Sequence, residues 1–213
     1  MNNKSATAFL IIGFITAWFG VILELYLTIL NRVMPLIPAI IKFFSYFTIL
    51  TNILVAVTFT VLLFKKPTWL QKKLNKASSF TAILVYILVV CLVYNFVLRP
   101  AMQPLQGLKL LANEILHSFI PIYFLIFWVV FVDKSTLAYK QATSWLVYPL
   151  IYVIYIFIRG AITQQYPYFF INVNTFGYPT ALLNSLILFI VFLLFFYLFI
   201  WIGKLIAKRE KNE

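Results

Sequence analysis

Long runs of apolar residues, separated by short polar segments, occupy most of the chain. A helix needs ~20 consecutive apolar residues to cross the hydrocarbon core of a bilayer, and these runs have about that length. They predict six spans, at residues 6–30, 43–64, 80–98, 110–132, 145–162 and 180–207. We therefore expect an all-α, polytopic membrane protein, in which a bundle of six transmembrane helices forms a single domain over residues 1–213.

The composition agrees with this pattern and excludes other classes of protein. Hydrophobic residues make up 64% of the chain and charged residues 10%, whereas a soluble domain carries roughly a quarter charged residues. We expect no soluble catalytic module. The net charge of +12 raises the question of nucleic-acid binding. The basic residues lie mostly in short loops between apolar runs, however, which is the pattern that sets membrane topology. We expect no nucleic-acid partner.

The distribution of lysine and arginine predicts the orientation of the chain. If the N-terminus is inside, twelve of the 17 basic residues fall on the inner side. The five on the outer side are Arg32, Lys42, Arg99, Lys109 and Arg159. Because cytoplasmic loops carry the excess of Lys and Arg, we expect both termini to be cytoplasmic and the protein to be integral to the plasma (cell) membrane.

With this topology, polar residues inside the spans gather near the outer face. They include Glu24, Ser45, Thr48, Asn52, Asn95, Glu114, His117, Arg159 and Asn184. The inner halves of the spans are almost purely aliphatic and aromatic, so we expect a polar chamber that opens toward the outer leaflet. A carboxylate at Glu24 requires a partner or a proton there, because burying a charge in lipid is costly. Arg99 or Arg159 is the expected partner.

His117 is the only histidine in the chain and stands among other polar residues. On a helix, Asn113 and Glu114 share its face, because they are four and three residues away. Pro121 follows four residues later and cannot donate to the carbonyl of residue 117. An ionisable side chain that faces polar groups within a membrane is a functional candidate by default.

An imidazole activates a hydroxyl as a nucleophile by taking its proton. Thr48 or Ser45, on the second span, and His117, on the fourth, are the candidates for such a pair. Glu114 or Asn113 would fix the tautomer of the histidine. The residues expected to bind a substrate or to support the pair are Glu24, Ser45, Asn52, Asn95, Glu114, Arg159 and Asn184.

The sequence gives weak grounds for a metal centre. Glu24, Glu114 and His117 would offer oxygen and nitrogen ligands, but the chain has no HxxxH or CxxC spacing. A haem between two histidines is excluded by the single histidine, and the single Cys91 forms no intramolecular disulfide. We expect no metal and no cofactor.

Several segments resemble one membrane protein family in their order and spacing. They are Ser45–Asn52, Leu116–Pro121, Trp145–Pro149 with Tyr152 and Arg159-Gly160, and Tyr166–Tyr168. Together they resemble the bacterial six-span branch of the androgen-induced (androgen-dependent TFPI-regulating) membrane protein family, whose animal members include hydrolases of fatty acid esters of hydroxy fatty acids. The resemblance implies Thr48 as nucleophile and His117 as general base. The chain departs from the bacterial branch at Phe127 and Asn172, where acidic residues are usual.

The leading interpretation is an intramembrane, threonine-type hydrolase that acts on membrane lipids or a lipid-like ester substrate. The alternative is a non-catalytic binding or transport protein for a small amphiphile, which would use the same chamber. Transport would favour polar residues that continue to the inner face, where the spans are apolar. A purely structural membrane protein would not account for the clustered polar groups.

Overall fold

The computed structural model describes residues 3–64 and 66–211, and this part of the chain is helical and contains no strand. Six of its helical segments are long and apolar enough to cross a membrane. In chain order, the first to sixth spans are Lys4–Leu30, Phe47–Phe64, Ala77–Ala101, Gly107–Phe131, Tyr139–Thr163 and Val173–Glu210. The prediction of an all-α membrane protein with six spans is confirmed. The cytoplasmic location of both termini stays a prediction.

Within the described ranges the chain forms ten α-helices and several shorter helical turns, and eight of these ten helices lie in the spans. The helices are α1 Asn3–Leu30, α2 Leu36–Phe43, α3 Phe47–Phe64, α4 Trp69–Leu74, α5 Ala77–Val93, α6 Gly107–Glu114, α7 Ile120–Phe131, α8 Ala142–Trp145, α9 Val147–Thr163 and α10 Val173–Glu210. Turns of 3-10 helix occupy Arg99–Ala101, Tyr139–Gln141 and Phe169–Ile171, and π-helical turns occupy Tyr94–Leu98 and Ile115–Phe119.

Two short helices lie where the sequence predicts only loops. Helix α2 begins directly after Pro35 and has Pro38 in its first turn, where the missing N–H of proline has no helical partner to lose. Helix α4 begins after Thr68, whose hydroxyl accepts a hydrogen bond from the N–H of Gln71 at 3.1 Å. The prolines and lysines of these segments suggest irregular loops. In the structure, the prolines lie at the start of one helix and the lysines lie on the exposed face of the other.

The chain divides into two compact units, Met1–Thr136 and Leu137–Glu213. Unit 1 contains the first four spans, and aromatic rings fill its core. The ring of Phe59 meets those of Phe124 and Phe127 edge-on, with centroids 5.6 and 5.5 Å apart. Since all three side chains are at most 4% exposed, this cluster fixes the second span against the fourth. The prediction of a single domain stays a prediction.

Hydrogen bonds from aromatic side chains also join the spans of unit 1. The indole N–H of Trp18 donates to the hydroxyl of Thr60 at 3.0 Å, and that of Trp128 donates to the hydroxyl of Thr81 at 2.8 Å. The hydroxyl of Tyr123 donates to the carbonyl of Phe9 at 2.7 Å. These bonds join the first span to the second, the third to the fourth and the first to the fourth.

Unit 2 contains the fifth and sixth spans. Trp145 packs edge-on against Phe196, with centroids 5.3 Å apart. Helix α10 is broken at Gly177, which has φ 73° and ψ 165°, two residues before Pro179. A positive φ of this size is readily adopted only by glycine, so this residue sets the direction in which the sixth span begins.

The two π-helical turns lie at corresponding ends of the third and fourth spans. In one, the N–H of Arg99 donates to the carbonyl of Tyr94, and in the other the N–H of Ile120 donates to the carbonyl of Ile115. Each bond reaches five residues back instead of four, which inserts one residue and changes the direction of the side chains that follow. The second turn contains His117.

Candidate functional site

Four spans meet at one end of unit 1 through polar contacts. Lys109, in α6, donates to the carboxylate of Glu24 near the end of the first span. Arg99, at the end of the third span, forms an ion pair with Glu114 in α6. We call this region the polar end of unit 1, and it comprises Glu24, Thr48, Asn52, Tyr94, Arg99, Lys109, Glu114, His117 and Ser118.

The ring of His117 is held in one tautomer by the backbone. Its Nδ1 lies 3.0 Å from the carbonyl oxygen of Asn113. A carbonyl only accepts, so Nδ1 carries the hydrogen, and in the neutral ring Nε2 carries the lone pair. The ring also stacks on Tyr94, with centroids 3.9 Å apart and planes inclined by 22°. Of the two residues proposed for fixing the tautomer, Asn113 does so through its backbone carbonyl, whereas Glu114 binds Arg99.

Thr48 and His117 lie on two spans that Asn52 connects. Thr48 is 7% exposed, and Asn52, one helical turn later, is fully buried. The carboxamide nitrogen of Asn52 donates to the carbonyl of Thr48 at 2.9 Å and to that of Leu116, the residue before His117, at 3.1 Å. One amide group therefore bonds the backbone of the candidate nucleophile and the backbone next to the candidate base.

Within residues 3–64 and 66–211, the His117 ring makes one hydrogen bond, and its partner is Asn113. Proton transfer from Thr48 to His117 would therefore use a bridging water or a shift that follows substrate binding, as catalytic contacts tighten only in the loaded site. The described residues contain no direct hydrogen bond between Thr48 and His117, and a water-mediated bond between them stays a prediction.

The expected partner of Glu24 is wrong. Glu24 pairs with Lys109, whereas Arg99 pairs with Glu114 and lies 5.2 Å from the ring centre of Tyr94. Lys109 is the third residue of α6. This helix packs beside the end of α1, which places the ammonium group of Lys109 next to the carboxylate of Glu24. The other carboxylate oxygen of Glu24, Oε2, is buried and has no hydrogen-bond partner in the described chain.

Ser45 and Asn95 make local bonds. The hydroxyl of Ser45 donates to the carbonyl of Ile41 at 2.6 Å, and the amide of Asn95 donates to the carbonyl of Cys91 at 3.0 Å. Such bonds within four residues satisfy polar side chains in apolar helices and leave fewer hydrogens for a substrate. The roles of both residues at the site stay predictions.

Arg159 and Asn184 lie in unit 2, where both tether loop segments. A guanidinium nitrogen of Arg159 donates to the carbonyl of Gln165 at 2.9 Å. The amide of Asn184 donates to the carbonyl of Phe170 at 2.7 Å. Their contribution to the site stays a prediction.

Sequence reasoning missed three residues of the polar end. Tyr94 supports the face of the imidazole, Lys109 neutralises Glu24, and Ser118 donates to Glu114 at 2.8 Å. The signal for Ser118 was present, because it stands four residues after Glu114 and such pairs share a helix face. In the sequence, Lys109 counts only as one of the basic residues that predict membrane topology.

The described residues contain no group of three or more His, Cys, Asp or Glu side chains that could hold a metal ion. Two buried acceptors of the polar end, Oε2 of Glu24 and Oδ1 of Asn52, have no hydrogen-bond partner within the described residues. Both atoms can accept a hydrogen bond from a donor.

The fold and the site define a helical membrane protein with six spans, in which buried polar groups gather at one end of the first four. No family model, no curated protein and no solved structure matches the chain.

Proposed function

We propose that this chain is an intramembrane, threonine-type hydrolase of lipid esters, related to the bacterial six-span branch of the androgen-induced membrane protein family. The substrate would be a membrane lipid or a lipid-like ester. The protein would lie in the bacterial cell membrane with both termini in the cytoplasm. The observation that carries the proposal is the fixed tautomer of His117, whose Nδ1 donates to the carbonyl of Asn113 at 3.0 Å. This leaves the lone pair of Nε2 as the proton acceptor.

In the proposed reaction, Oγ1 of Thr48 attacks the carbonyl carbon of the ester while Nε2 of His117 takes its proton. The imidazolium then gives that proton to the leaving alcohol, and the acyl group stays on Thr48. Water releases the acid in a second step and restores the hydroxyl. Tyr94 stacks on the ring and keeps its orientation through both proton transfers.

Fluorophosphonate labelling of the purified protein tests the nucleophile. Labelling and ester cleavage should disappear in Thr48→Ala and persist in Thr58→Ala. Thr58 is a matched control, because it is a fully buried threonine on the same helix whose hydroxyl donates to the carbonyl of Leu54 at 2.7 Å. Full turnover in Thr48→Ala would refute the assignment of the nucleophile.

The base is tested by pH and by a double variant. Cleavage should rise with pH as the imidazole loses its proton, because only the neutral ring accepts the threonine proton. The variant that combines Thr48→Ala with His117→Ala should be little worse than either single variant, because the two groups act as a unit. If the loss of rate in the double variant equals the product of the two single losses, the two groups do not act in one shared step.

A non-catalytic binding or transport protein for a small amphiphile is the second candidate. It is favoured by the two open acceptors at Glu24 and Asn52, which would hold a ligand with or without chemistry. Binding of a lipid ester without turnover, unchanged in Thr48→Ala, would support this candidate over the hydrolase.

A further inference from the structure

The carboxamide of Asn52 has a fixed orientation. Its nitrogen faces two carbonyl oxygens, those of Thr48 at 2.9 Å and Leu116 at 3.1 Å. Carbonyl oxygens only accept hydrogen bonds, so the nitrogen and not the oxygen must occupy this side of the amide group. The oxygen, Oδ1, therefore points away from both carbonyls.

Oδ1 of Asn52 is a buried acceptor without a donor. The residue is 0% exposed, and no group in the described parts of the chain donates to this atom. Buried polar atoms are almost always satisfied, and an exception points to an ordered water, an ion or a ligand. Since Oδ1 only accepts, its partner must be a donor.

We infer that Oδ1 of Asn52 binds the water molecule that releases the acyl group from Thr48. This inference rests on the proposed function. Asn52 follows Thr48 by one helical turn and bonds to the residue before His117. A water between these groups donates one hydrogen to Oδ1 and the other to the lone pair of Nε2 of His117. Two such partners are enough to order a buried water.

The step that this water performs is the second half of the hydrolysis. The water oxygen attacks the acyl carbon, and its proton passes to Nε2 of His117. The bond between the acyl carbon and Oγ1 of Thr48 then breaks, and Oγ1 takes the proton from the imidazolium. The carboxylic acid leaves, and threonine and neutral histidine are restored.

The experiment follows one turnover of 4-nitrophenyl octanoate, with release of nitrophenol and intact mass spectrometry of the protein. Asn52→Leu keeps the shape of the side chain and removes the acceptor together with the two donated bonds to Thr48 and Leu116. We expect a burst of about one equivalent of nitrophenol, acyl-Thr48 that accumulates, and deacylation at least about tenfold slower, as for the loss of one hydrogen bond. Asn52→Asp keeps an acceptor oxygen, and in its protonated form it still donates to one of the two carbonyls, so it should recover part of the deacylation rate.

Asn31→Leu is the matched control, because the amide of Asn31 has no assigned role at the site and bonds to the carbonyl of Leu27, four residues earlier, at 2.9 Å. It should deacylate at the rate of the unmodified protein. Equal slowing of the burst and of the steady rate in Asn52→Leu, without an acyl adduct, would overturn the inference. So would an unchanged rate.

A direct observation separates the failure of this inference from the failure of the proposed function, and it does not depend on the folding of a variant. A high-resolution experimental structure of the unmodified protein should show an ordered water within hydrogen-bond distance of Oδ1 of Asn52. If only carbon atoms surround Oδ1, the water site is absent even where the protein cleaves esters. If the water is present and no ester is cleaved, the proposed hydrolase function is wrong, and so is the role assigned to the water.

Discussion

Lys109 and Glu24 form an ion pair, but removing the lysine should cost more stability than removing the carboxylate. The side chain of Glu24 is 16% exposed and one of its oxygens lacks a partner, whereas Lys109 is 43% exposed. Removing the lysine leaves a buried carboxylate unpaired. Removing the carboxylate leaves an ammonium group that reaches water or lipid headgroups on its flexible stem.

The magnitude follows from this difference in exposure. Loss of one partner costs about 3–5 kcal/mol in a fully buried pair and below about 1 kcal/mol in an exposed one. For Lys109→Met we expect about 1–3 kcal/mol, and for Glu24→Gln below about 1 kcal/mol. At roughly 2–4 °C per kcal/mol for a chain of this size, Lys109→Met should lower Tm by about 2–12 °C.

The assay is thermal unfolding in one detergent, followed with a thiol-reactive dye. Cys91 is the only cysteine, and it is partly buried in the third span, so its reaction reports the opening of unit 1. Lys42→Met is the control, because Lys42 also lies near a helix end and forms no ion pair within the described residues. The double variant of Lys109→Met and Glu24→Gln should recover to the level of Glu24→Gln. A double variant that loses the sum of both single effects would refute the reasoning.

Two further predictions concern the spans. In a Cys91→Ser background, cysteines placed at Asn75 and Gln103 should be labelled from opposite sides of the membrane, because one span separates them, and labelling from the same side would overturn the span assignment. Thr81→Val should lower the unfolding free energy by about 1–3 kcal/mol, because it removes the acceptor of the buried indole N–H of Trp128. Thr81→Ser, which keeps the hydroxyl, should lower it less, and equal losses in thermal unfolding would contradict this explanation.

The six spans were predictable because membrane crossing is a local property of the sequence. Length and hydropathy alone identify an apolar segment, whichever neighbours it packs against. The short helix α2 was not predictable by the same means. Pro35 and Pro38 suggest a turn, and only the path of the chain shows that both fall at a helix start. The π-helical turn at Ile115–Phe119 leaves no signal in hydropathy, because it adds one residue without changing composition.

The residues of the site were easier to predict than their partners. Glu24, Asn52 and His117 stood out, because polar groups are rare in apolar spans and need a reason to be there. The partner of Glu24 depends on how two helices are rotated about their axes, and Lys109 is 85 positions away in sequence. A one-residue insertion in a π-helical turn changes that rotation. The sequence therefore identifies the polar residues, whereas their pairing depends on the tertiary structure.

The balance of donors and acceptors narrows what the polar end of unit 1 can bind. Its two carboxylates are each paired with a cation, so the four charged groups sum to zero and give no net attraction for an anion. The buried atoms left open, Oε2 of Glu24 and Oδ1 of Asn52, are both acceptors. A phosphate or a free carboxylate would face them with lone pairs and be repelled. Water and hydroxyl groups can donate to them. The water of the proposed ester hydrolysis and the alcohol that it would release both meet this requirement, and so does a neutral amphiphile with a hydroxyl group, whereas an anionic lipid does not.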